Sequence, residues 1–198
     1  MIAIVDYKAA NLASVQKAIA HLGFESQITG DPDVVRRSER VILPGVGHFS
    51  TMRRLQDSGL RDAIFESITS GVPFLGICVG MQWLFAGSTE APEVPGLGLF
   101  TGMCEHFPAG VKSPHVGWND FEVRDKSTLF RVIPRDAFVY FTHSYRAPVS
   151  EGVIATTIYG SPFAAAVERD NIFGVQFHPE KSGSAGIQIL KNFCEAAC

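Results

Sequence analysis

Residues 73–80 read PFLGICVG, with no charged or amide side chain in the run. A strand that is apolar at every position, rather than at alternate ones, has no face to give to water. It belongs in the interior of a sheet covered on both sides. Other short apolar runs share this character, IAIVD at 2–6 and RVIL at 40–43 among them, and FESQI is a further strand candidate. Between them, NLASVQKAIAHLG (11–23) places Leu12, Val15, Ile19 and Leu22 at helical spacing before a terminal glycine. A second helical region spans about residues 49–70, broken near Ser58 and Gly59. The first half therefore predicts an open, mostly parallel α/β sheet flanked by helices on both faces.

The second half changes rhythm. VGWNDFEV, AFVYFTH, VIATTIY, FAAAVE and IFGVQF are short β-like runs separated by turns, which predict antiparallel strand additions and a return to the central sheet. A closing helix is expected over about residues 185–196, with Ile187, Leu190 and Cys194 on one face. With no repeat, low-complexity tract or linker, residues 1–198 read as a single domain.

Composition excludes several classes. With 46% hydrophobic and 19% charged residues the chain has the makings of a packed core, not of a disordered segment. A net charge of −3 offers no basic footprint, so neither nucleic acid nor an anionic membrane is an expected partner. The opening MIAIVDYKAANL lacks a basic leader and a small-residue cleavage site, and no apolar run approaches the roughly 18 residues of a membrane span. A cytoplasmic location is expected. Cys78, Cys104, Cys194 and Cys198 show no Cys-x-x-Cys spacing, and no paired histidines accompany them, so neither a metal site nor a disulfide framework is predicted. No cofactor is called for.

The cysteine in the apolar run remains unusual. In FLGICVGMQWLF, residues 73–77 predict a buried strand and 81–85 the start of a helix, which puts Cys78 at the carboxyl end of the sheet, where open α/β folds keep their ligand crevices. Gly76 and Gly80 would permit a sharp elbow and close backbone approach, and a helix amino terminus would favour a thiolate. This is nucleophile-elbow geometry with cysteine in place of serine. The bland alternative is a buried thiol that only packs. A nucleophile also needs a base and something to orient it; GVQFHPEKS supplies His178 and, two residues on, Glu180. The PGVG turn at 44–47 should emerge beside Cys78, where its backbone N–H groups and that of Val79 would form an oxyanion hole, each donor worth about 3 kcal/mol in comparable sites.

GICVGMQ, PGVGHF and FHPEKS together resemble the class I, or triad, glutamine amidotransferases, which cleave the side-chain amide of glutamine through a cysteine thioester and pass the ammonia to a synthase. PHVGWND (114–120), YFTHSY (140–145) and HPEKSG (178–183) are similar to the amidotransferase subunits of imidazole glycerol phosphate synthases, a likeness that runs nearly end to end. The resemblance implies a class I glutamine amidotransferase-like fold, with Cys78 as nucleophile, His178 as general base and then acid, and Glu180 as its orienter. It implies Gly47 and Val79 at the oxyanion, and Gln82, Glu90 and the backbone of His143, Ser144 and Tyr145 around glutamine. On the residues alone, Gln82 and Glu90 would read as a solvated helix face and loop.

The same resemblance implies a heterodimer with a cyclase subunit of (βα)8-barrel form, and places Asn11, Val116, Trp118, Tyr140 and Lys181 at or near that interface. Two departures stand out. The first loop reads DYKAAN, with Lys8 and Ala10 where the family often carries glycine, and Val79 stands where leucine is commoner. Three rival readings remain open: a glutaminase subunit for another synthase, a catalytically silent scaffold, and a cysteine hydrolase built on the same elbow.

Overall fold

The structure, a computed structural model, describes residues 1–8, 12–124 and 126–196. Its strands are β1 (Ile2–Val5), β2 (Ser26–Thr29), β3 (Arg40–Gly45), β4 (Phe74–Cys78), β5 (Gly87–Ser88), β6 (Met103–His106), β7 (His115–Asp120), β8 (Glu122–Val123), β9 (Phe138–His143), β10 (Tyr145–Arg146), β11 (Val153–Tyr159), β12 (Ser161–Arg169) and β13 (Ile172–Val175). Its helices are α1 (Leu12–His21), α2 (Pro32–Arg36), α3 (Arg53–Asp57), α4 (Leu60–Thr69), α5 (Val79–Gln82) and α6 (Gly183–Cys194), with short 3-10 turns at Phe49–Met52 and Pro179–Lys181.

Eight strands form one sheet in the order β2-β1-β3-β4-β13-β12-β11-β8. The first five are mutually parallel, and β12, β11 and β8 continue the sheet antiparallel. β1, β4 and β13 are buried at every position, as expected of strands apolar at every position. Helix α1 packs with α6, and α2 and α3 pack with α4, so both helical groups bury apolar stripes. In α1 that stripe is Val15, Ala18 and Ile19, with Leu12 and Leu22 partly buried at its margins.

Three details differ from the sequence expectations. The closing helix begins at Gly183, two residues before the expected start, and buries Leu190 and Cys194 while Ile187 is partly covered. Helix α2 has no counterpart among the expected elements, although Asp31 caps it by accepting the Asp33 N–H and Pro32 opens it, a start signal present in the sequence. Most of VGWNDFEV and AFVYFTH does not join the central sheet: β7 and β9 pair as a separate antiparallel ribbon. Burial along both strands alternates, so the ribbon packs by one face and shows the other to solvent. Inner residues Phe141 and His143 lie against Phe163 of β12, and Phe141 also meets Phe177.

Strand register brings three distant segments together. Gly45 pairs with Cys78, and Val175 with Ile77, so β3, β4 and β13 end side by side. The loops carrying PGVG, the cysteine and the histidine leave the sheet along one edge.

Candidate active site

Cys78 is the last residue of β4 and immediately precedes α5, with φ 55° and ψ −109°. For a side chain bearing a Cβ this backbone is strained, and such strain is characteristic of a nucleophile elbow. Here the structure bears out the close backbone approach expected of the two glycines and corrects the source of the sharp elbow. Gly76 and Gly80 do not supply the unusual dihedrals; the cysteine itself does. Their work is steric: a Cβ on Gly80 would run into the Leu43 carbonyl, and one on Gly76 would collide with the Gly80 backbone. Gly45 leaves room in the same way for Val79 and Gly80, so three glycines let α5 lie directly on β3 and β4.

The helix is also shorter than expected and placed earlier, a single turn over Val79–Gln82 instead of a longer helix begun at 81–85. The carbonyls of Trp83, Leu84 and Phe85 accept N–H groups from Leu97, Leu99 and Gly98, which takes them away from continued helix. Val79 is the first residue of the turn, so its N–H has no partner within the helix.

His178 follows β13 and is 2% exposed. Its Nδ1–H donates to Glu180 Oε1 at 2.9 Å, and both side chains are 3% exposed. Pro179 opens the 3-10 turn that brings the carboxylate back to the ring. The other ring nitrogen, Nε2, is buried without a hydrogen-bond partner of ordinary geometry. Burial alone would push the imidazolium down, but the Cys78 sulfur and the Glu180 carboxylate outweigh it and hold His178 up at about 10. The backbone is fixed as well: His178 N–H donates to Tyr140 O, and Ser182 Oγ donates to His178 O while accepting Tyr140 N–H.

Cys78, Val79, Gln82, Glu90, His143, Ser144, Tyr145, His178 and Gly47 all line one cavity of about 350 Å³, joined by Val46 and Thr142. Gly47 holds φ 83°, the left-handed region that favours glycine. Gln82 is nearly inaccessible, and its Nε2 is committed to Tyr145 O at 2.8 Å and to Gln176 Oε1 at 3.0 Å. Glu90 has two attachments: it lines the cavity, and its Oε2 accepts the Phe49 N–H at 2.7 Å, which pins the segment after PGVG. The arrangement is a thiol, an imidazole braced by a carboxylate, a helix turn beginning directly after the thiol, and polar groups around the cavity. That set suits acyl transfer.

A family model described as glutamine amidotransferase class-I matches residues 3–197. The chain belongs to this family. Among curated relatives, the imidazole glycerol phosphate synthase subunit HisH of Moorella thermoacetica is 49% identical over 98% of this chain and 94% of its own length. The subunit of the same name from Methanothermobacter thermautotrophicus is 45% identical over 98% of each chain. Among solved structures, a glutamine amidotransferase crystal structure superposes with a TM-score of 0.77 at 20% identity over 98% of each chain. A chain of the PurLQS structure from Thermotoga maritima does so at 0.72 and 22%, over 98% of this chain and 96% of its own. Those two likenesses speak for the fold.

Lys8, where the resemblance leads one to expect glycine, takes φ 63° all the same. Asp6 compensates, accepting Lys8 N–H and Nζ at 2.8 Å each, and this contact holds the Asp6 carboxyl below its ordinary range. Ala10 and Asn11 lie outside the described residues. Of the other expected interface residues, Val116 is 56% and Trp118 55% exposed on the outer face of the β7–β9 ribbon. Tyr140 sits between Trp118, with ring centroids 6.1 Å apart, and the ammonium of Lys181 at 6.0 Å from its ring. Cys104 and Cys194 are buried free thiols; burial raises Cys104 and pushes Cys194 up to about 12, while Cys198 lies outside the described residues.

The sequence reading missed Thr142, Gln176 and His115. Thr142 O stands 4.0 Å from the sulfur. His115 Nδ1 meets His143 Nε2 at 3.3 Å, and His143 Nδ1 meets Tyr145 O at 2.9 Å. The Tyr145 carbonyl can only accept, so His143 donates there and accepts from His115, leaving both rings neutral. Burial lowers His115 to about 4 and His143 to about 3, the latter against the pull of the Tyr145 carbonyl. A glutamine inside an otherwise apolar strand ending, as in IFGVQF, was the available signal for Gln176, because a buried amide requires partners.

Proposed function

We propose that this chain is the glutaminase subunit of an imidazole glycerol phosphate synthase in histidine biosynthesis, working in the cytoplasm with a (βα)8-barrel cyclase subunit. The observation that carries the reading is convergence: Cys78, His178 and the PGVG loop, far apart in sequence, line one cavity, with Glu180 bonded behind the histidine.

Cys78 gives its thiol proton to His178 as Sγ attacks the side-chain carbonyl carbon of glutamine, and the oxyanion develops toward the Val79 N–H and the Gly47 loop. As the C–N bond breaks, His178 gives its proton to the leaving nitrogen and ammonia departs. A water then adds to the thioester, its proton passing to His178; the C–S bond breaks, glutamate leaves and the thiolate is restored. Glu180 keeps the imidazole in register and favours its cation throughout. Gln82, Glu90 and the backbone of residues 143–145 hold the substrate. Ammonia must reach the partner unprotonated, since ammonium is not a nucleophile, so the outer face of the β7–β9 ribbon, with Val116, Trp118, Tyr140 and Lys181, is assigned to the barrel. The barrel uses ammonia to form imidazole glycerol phosphate and an aminoimidazole carboxamide ribotide.

The test is glutamate release from glutamine by the purified chain, alone and with a barrel subunit loaded with its ribotide, using Cys78→Ala as control. Strong activation that the substitution abolishes is expected. Equal rates with and without the barrel would refute the coupling, and no hydrolysis in any condition would refute the glutaminase.

A further inference from the structure

Gln176 follows β13 by one residue and its side chain is wholly buried. An amide in that position is costly unless both its ends are bonded. They are. Gln176 Oε1 accepts from Gln82 Nε2 at 3.0 Å, and Gln176 Nε2 lies 3.6 Å from Cys78 Sγ in donating geometry. The orientation of both amides follows from one fixed acceptor. Tyr145 O lies 2.8 Å from the Gln82 amide and has no hydrogen to give, so the nitrogen of Gln82 faces it. That nitrogen also meets the nearer end of Gln176, which must then be its oxygen. The N–H end of Gln176 is left pointing at the sulfur. Thr142 O also approaches Sγ, at 4.0 Å, but it is an acceptor that can greet the thiol and not its anion.

Resting on the glutaminase reading, we propose that Gln176 is a further catalytic residue, whose Nε2–H donates to the Cys78 sulfur. It supports the attacking anion. It acts again when the thioester is hydrolysed: water forms the new C–O bond, the C–S bond breaks, the electron pair settles on Sγ, and the Gln176 N–H meets the charge appearing there. Gln82 and Tyr145 O are the struts that keep the donor end of the amide toward the sulfur.

Gln176→Met keeps the length and bulk of the side chain and removes the donor. The rate at which iodoacetamide alkylates Cys78 in the full chain, corrected with Cys78→Ala for the other thiols, should fall about ten- to hundredfold, the worth of a hydrogen bond to a charged group. In the complex with the barrel subunit, kcat for glutamine should fall by a similar factor while KM stays within about threefold. A residue that only packs would leave the alkylation rate per folded molecule unchanged, and that result overturns the proposal. Should the variant not fold, the unaltered chain labelled with 15N at glutamine amides decides. One side-chain amide must shift when Cys78 is carbamidomethylated, and absence of any shift rejects the contact. A native chain that neither hydrolyses glutamine nor alkylates at Cys78 would instead remove the glutaminase reading itself.

Discussion

At residue scale the site is built from strain and burial. Cys78 occupies a mirror-extended backbone, φ 55° and ψ −109°, that glycine adopts freely and that costs a residue with a Cβ about 1–3 kcal/mol. Cys78→Gly and Cys78→Ala should both be inactive, but the glycine variant should unfold with a free energy about 1 kcal/mol higher, by chemical denaturation. His178 carries its own pH signature. Its folded value is raised from 6.5 to about 10, so the stabilisation from its charged form is complete below 6.5, declines as pH rises and is gone beyond about 10. Melting temperatures of the native chain and Glu180→Gln should differ most at about pH 6.5 and converge as pH nears 10. A gap that widens with pH would contradict the assignment of Glu180 as partner of the cation.

At element scale the decisive feature is how closely a one-turn helix approaches two strands. Gly80→Ala would press a methyl group into the Leu43 carbonyl and should cost about 1–3 kcal/mol in unfolding experiments, with loss of Cys78 reactivity as α5 is displaced. The β7–β9 ribbon makes a second, opposite demand on pH. His115 and His143 stay neutral in the fold down to about 4 and 3, whereas in the unfolded chain they take protons below 6.5. The unfolded state then binds more protons, so stability falls as pH drops from 6.5 toward 4. His115→Gln should flatten that acid limb in urea titrations at pH 6.5 and 4.5. An unchanged slope would mean the paired histidines do not govern acid stability.

For the molecule as a whole, no helix among the described residues is long and apolar enough to cross a membrane, and the apolar side chains left uncovered include Val116, Trp118 and Phe138 on one ribbon. Trp118, 55% exposed, contributes little to the core, so Trp118→Ala should keep its melting temperature. It should weaken binding of the proposed barrel subunit at least about tenfold by calorimetry, as loss of an aromatic anchor does. The same strand β9 that bears Tyr140 outward holds His178 N–H through its carbonyl and places Thr142 O beside the sulfur. A partner seated there would press on the strand that holds His178.

Much of this was legible in the order of residues. Continuous apolar runs such as FLGIC require a sheet buried on both faces, and GICVG, PGVG and FHPE each carry local signs of their chemistry, because turn and strand requirements act over a few neighbouring residues. Tertiary structure alone decided the rest. The burden of strain fell on Cys78 and not on its glycines, since dihedrals there are set by what α5 must pack against. The ribbon left the central sheet, because its alternation, read along the chain, does not say which face will be covered or by what. Gln176 gained its meaning only from Gln82 and Cys78, brought within bonding distance by parallel strands distant in sequence; pairings of that kind are fixed by register, which short-range patterns do not encode.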